Sequence, residues 1–65
     1  MLNTTHTEDI MEIKEIIERH KLAITNLRKT HATAATSGAK RQITALIKRH
    51  ERSIAAYERN IAALQ

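Results

Sequence analysis

Apolar residues recur at intervals of three and four along the first half of the chain, the periodicity of one face of an α-helix. Alternating steps of three and four make a heptad pattern, with core positions a and d as in a coiled coil. Two of these core positions hold histidine, where a leucine would be usual. The core positions of this half are Ile10, Ile13, Ile17, His20, Ile24, Leu27, His31 and Ala34.

A second heptad series follows, with core positions Ile43, Ile47, His50, Ile54, Tyr57, Ile61 and Leu64. The two series are out of phase by two residues, a shift that a continuous coiled coil does not absorb. The shift falls around the segment TAATSGAK, which contains the only glycine, Gly38. We therefore predict one domain, 1–65, with helix 1 at about 7–34, a turn at about 35–39 and helix 2 at about 40–64. Thr5 and Glu8 have the spacing of a capping box that would open helix 1.

These patterns predict an all-α fold, an antiparallel two-helix hairpin of the coiled-coil type. Core layers form if facing residues have numbers that add up to 74, so that His20 faces Ile54. The same register places Lys14 opposite Glu58 and Lys21 opposite Glu51 on one flank, and we predict an ion pair at each place.

The other flank carries no charge, and a lone hairpin offers nothing to cover it. The simplest cover is a second copy of the chain, which would make a four-helix bundle. The hairpin end away from the turn is acidic and the turn end is basic, which favours an antiparallel homodimer. The predicted interface comprises Ile16, Ala23, Thr30, Leu46, Ser53 and Asn60.

His20 and His50 fall in adjacent central layers of this register. With Tyr57 they are expected to form a buried polar layer that fixes register and oligomeric state. A His-based metal or haem site in the bundle, with His20 and His50 as ligands, is an alternative. No carboxylate occupies a core position, however, where it could hydrogen-bond to a ligating imidazole.

The chain has no cysteine, so thiolate metal sites and cysteine nucleophiles are excluded. No apolar run reaches the roughly 18 residues of a membrane span, and the N-terminus lacks the features of a signal peptide. We expect a cytoplasmic protein without a membrane partner.

A net charge of +4 makes nucleic acid a candidate partner. The residues that could contact phosphates are Arg28, Lys29, Lys40, Arg41, Lys48, Arg49 and Arg52. In length and architecture the chain also resembles the Rop-like helical-hairpin dimers, which bind RNA. That resemblance rests on architecture alone and assigns no residue here.

No constellation of nucleophile, base and orienting group is present, and we expect no enzyme activity and no cofactor. The sequence favours a structural or regulatory homodimer that acts through protein contacts. A small RNA- or DNA-binding regulator is the second reading, and a metal- or haem-binding bundle the third.

Overall fold

Two long helices make up the fold of this chain, as seen in a computed structural model that describes residues 4–65. Helix α1 spans Thr4–Thr33 and helix α2 spans Ser37–Leu64. They pack against each other as a helical hairpin, and the Cα atoms extend over 56 × 15 × 9 Å. The predicted all-α hairpin is thus confirmed. Neither helix contains an apolar stretch long enough to cross a membrane.

The connection between the helices is shorter than the sequence predicts and lies slightly earlier in the chain. The connection consists of residues 34–36, whereas the turn was expected at about 35–39. The difference arises at Thr36, whose Oγ1 accepts a 3.0 Å hydrogen bond from the backbone N–H of Ala39. Thr36 is therefore the N-cap of α2, and it starts that helix three residues before the expected position.

Gly38 belongs to the first turn of α2 and has no positive φ, so it does not form the bend.

The predicted capping box at the start of the chain is wrong. Thr5 already lies inside α1, which begins at Thr4, and an N-cap residue must lie just outside the helix.

The core follows the predicted heptad positions closely. Every one of them is buried or half-buried, while the residues between them are mostly exposed. Among the residues described, only Ile17 and Ile24 are buried, and even they keep 6% and 7% exposure. The hairpin is a single layer of two helices, so most core side chains have protein on one side only.

Candidate functional site

The centre of the hairpin holds a direct contact between its two core histidines. Nδ1 of His20 and Nδ1 of His50 are 2.7 Å apart, and the ring centroids are 5.0 Å apart with a tilt of 55°. A hydrogen bond between two Nδ1 atoms needs one protonated donor and one unprotonated acceptor. The pair therefore requires two different tautomers, or a single proton shared between the rings.

Tyr57 completes this cluster from the other side of His20. Its ring stacks on His20 at a centroid distance of 5.9 Å and an interplanar angle of 30°. His50 and Tyr57 lie on α2 on either side of Ile54, the residue expected to face His20. Both contacts therefore fit the register in which facing residue numbers add up to 74.

The structure thus brings together the three residues predicted as a polar layer, but it does not bury them. His20, His50 and Tyr57 are all half-buried, and no polar residue among those with described side chains is fully buried. A hollow of about 330 Å³ lies beside the histidines and is also lined by Leu46, Arg49 and Ser53. The polar cluster is therefore open on the side where the uncharged flank lies.

The uncharged flank itself follows the groove between the helices. Ile16, Ala23 and Ser53 are half-buried, whereas Thr30, Leu46 and Asn60 are exposed, with 41% exposure for Leu46. Near the end opposite the turn the groove widens into a hollow of about 410 Å³. Its lining is Asp9, Glu12, Ile13, Ile16, Asn60, Ala63 and Leu64. Apolar side chains are thus accessible at both ends of this flank, with small residues in between.

The charged flank does not form the ion pairs that the sequence predicted. Lys14 and Glu58 line one hollow of about 420 Å³ without coming within 4.0 Å of each other. Lys21 pairs instead with Glu18 of its own helix, at 3.9 Å, and not with Glu51. Exposed lysines gain little from such pairing in water, so local geometry decides where they point.

The two candidate metal ligands lie together at the centre of the hairpin, whereas the candidate phosphate contacts lie around the turn and on α2. His20 and His50 meet, but no group of three or more His, Cys, Asp or Glu residues in the described chain could hold a metal ion. The seven basic residues predicted to contact nucleic acid are all exposed. Four of them surround the turn, namely Arg28, Lys29, Lys40 and Arg41. The other three, Lys48, Arg49 and Arg52, lie on the middle of α2.

Comparisons with protein-family models, curated proteins and solved structures find no match to this chain.

Proposed function

We propose that this chain works as a homodimer, in which two hairpins pack face to face into a four-helix bundle. In this proposal the bundle is a structural or regulatory module that acts through protein contacts and not through catalysis. The observation that carries it is the amount of surface that one hairpin leaves exposed. A single chain exposes 5209 Å², whereas a folded monomer of 7.4 kDa is expected to expose about 4,200 Å².

The excess, about 1,000 Å², is close to what one partner buries in a standard protein interface, about 800 Å². The thin core also supports a second copy, because only two side chains in the described part of the chain are buried. A second copy would supply protein atoms on the side where the core side chains now face solvent.

The uncharged flank is the face best suited to this contact. Charged residues lose their hydration when an interface closes, and the six residues of this flank are all uncharged. Ala23 and Ser53 are small and half-buried, so two hairpins could approach closely there. Ile16 and Leu46 would supply apolar contact on either side of the centre.

Charge supports an antiparallel arrangement of the two copies. The end away from the turn, residues 1–18 and 57–65, carries six acidic and two basic residues. The turn end, residues 25–46, carries four basic residues and no acid. An antiparallel dimer brings these opposite ends together, whereas a parallel dimer places like charges side by side.

The first test introduces a charge at the centre of the proposed interface. Ala23→Glu should convert the dimer into a monomer, because an unpaired carboxylate would be buried there. Leu22→Glu is the matched control, since Leu22 is the neighbouring residue, is 62% exposed and faces away from the flank. Sedimentation equilibrium at micromolar concentration measures the outcome. A wild-type chain that is a well-folded monomer, or an Ala23→Glu variant that stays dimeric, would refute the proposal.

A second test addresses orientation, since the chain has no cysteine of its own. Leu46 and Asn60 lie seven residues on either side of Ser53, so an antiparallel two-fold axis near Ser53 brings Leu46 against Asn60 of the second copy. A parallel dimer instead brings Asn60 against Ile16. Mixed single-cysteine chains Asn60→Cys and Leu46→Cys should form a disulfide, and Asn60→Cys with Ile16→Cys should not. The reverse result would refute the antiparallel orientation while leaving the dimer intact.

A further inference from the structure

The two helices differ sharply in charge. Helix α1 has five basic and five acidic residues and is neutral overall. Helix α2 has six basic residues against only two acids, Glu51 and Glu58. The whole net charge of +4 is therefore carried by α2.

Four of these basic residues form a straight row along the outer face of α2. Arg41, Lys48, Arg52 and Arg59 are separated by seven, four and seven residues, which places them within about 40° of one another at 100° per residue. The row is about 27 Å long at 1.5 Å per residue. All four side chains are exposed. We call these four residues the basic row.

The surroundings of the basic row leave it free to meet a partner. Ala45, Ala55 and Ala63 are among the residues nearest to the row on the same face, so no large side chain shields the cations there. Glu51 and Glu58 lie about 80° to 100° around the helix from the row. In the described chain the ion pair that forms is Lys21–Glu18 on α1, so no member of the row is neutralised.

We propose that the basic row binds the phosphate backbone of a double-helical nucleic acid, independently of base sequence. A row of about 27 Å matches roughly eight base pairs at 3.4 Å per step of each strand. Single strands are bound mainly where aromatic rings stack on bases. The chain has no Phe or Trp. Its one tyrosine, Tyr57, is half-buried against His20 and presents no exposed ring for a base to stack on.

This binding site is separate from the uncharged flank. Leu46, Ser53 and Asn60 lie about 100° to 140° around α2 from the basic row. Dimer formation on the flank therefore leaves the row exposed. In an antiparallel dimer the two copies of α2 pack side by side, which would place two rows on the same side of the bundle.

The test measures fluorescence anisotropy with labelled 20-base-pair duplexes of DNA and of RNA, each in two unrelated sequences, between 50 and 200 mM salt. We expect equal affinity for the two sequences and weaker binding to a 20-nucleotide single strand. The logarithm of the association constant should fall with the logarithm of salt concentration with a slope of about −3 to −4 per chain, as for four phosphate contacts. A preference for the DNA or the RNA duplex would identify the source of the phosphates.

A pair of matched variants locates the site. Lys48→Gln with Arg52→Gln removes two charges from the basic row, and Lys14→Gln with Lys21→Gln removes two from α1. The first variant should bind at least about tenfold more weakly at 100 mM salt and lose about two units of slope. The second should keep most of the wild-type affinity. Circular dichroism verifies that both variants remain helical, and both substitutions involve exposed side chains.

Three results would overturn the proposal. Equal losses in the two variants would mean that net charge alone attracts the duplex. No binding at 50 mM salt would mean that the row does not hold phosphates. Equally tight binding of poly-glutamate at the same salt concentration would make an acidic protein the partner instead.

Discussion

The contact between His20 and His50 explains how a small core can accommodate two polar rings. Each imidazole finds a partner across the helix pair, so neither has to be buried without a hydrogen bond. The contact is selective for protonation state, because two imidazolium ions are both donors and repel each other.

Replacing both histidines with leucine tests how much this contact contributes to stability. His20→Leu with His50→Leu should raise the melting temperature, because an apolar layer contains no imidazole that must be desolvated. A double variant with a lower melting temperature would show that the contact itself stabilises the hairpin. A melting temperature raised by Zn²⁺ in the wild type alone would favour the metal-site interpretation of the histidines.

Gly38, in the first turn of α2, weakens the helix and is not needed to form the bend. Gly38 has helical backbone angles, and a Cβ atom built on it meets nothing within 4 Å. Gly38→Ala should thus stabilise the hairpin by about 0.5 to 1 kcal/mol, mainly by restricting the unfolded chain. For a domain of this size the melting temperature should rise by a few degrees. An unchanged or lower melting temperature would mean that this glycine is needed for a conformation other than the one described.

The helices and their contact faces could be predicted from the sequence because burial imposes a period that the sequence displays. Isoleucines such as Ile17 and Ile24 occupy the heptad positions, and among the residues described these two are the ones that the hairpin buries. The change of phase between the two series also located the bend to within a few residues. His20 and His50 were placed in adjacent layers by the same reasoning, and the structure brings them into contact.

Helix ends and surface pairs could not be predicted as well, because several local solutions have similar free energies. Thr36 and Thr5 are both threonines suited to an N-cap, and only the path of the chain decides that Thr36 serves as one. An exposed lysine such as Lys21 can reach more than one carboxylate, and each choice is worth only a few tenths of a kcal/mol. The Nδ1–Nδ1 contact likewise depends on side-chain rotamers, which a heptad pattern does not specify.

For the molecule as a whole, the proposed dimer makes stability depend on concentration. If folding and association are coupled, the melting temperature should rise by several degrees between 5 and 500 μM protein. The Ala23→Glu variant should melt at a lower temperature that does not change with concentration. Differential scanning calorimetry provides the comparison, and a wild-type melting temperature that is constant over this range would argue for a stable monomer.

The short connection at residues 34–36 has a consequence for the order of events during folding. Contacts beside the connection close a loop of only a few residues, whereas Ile13 and Leu64, which line one hollow, are more than fifty residues apart in the chain. The entropy lost on loop closure grows with loop length, so the first pairing should occur at the connection and later layers should add outward from it. The layers farthest from the connection should also separate first, giving the amide protons at that end the fastest hydrogen exchange.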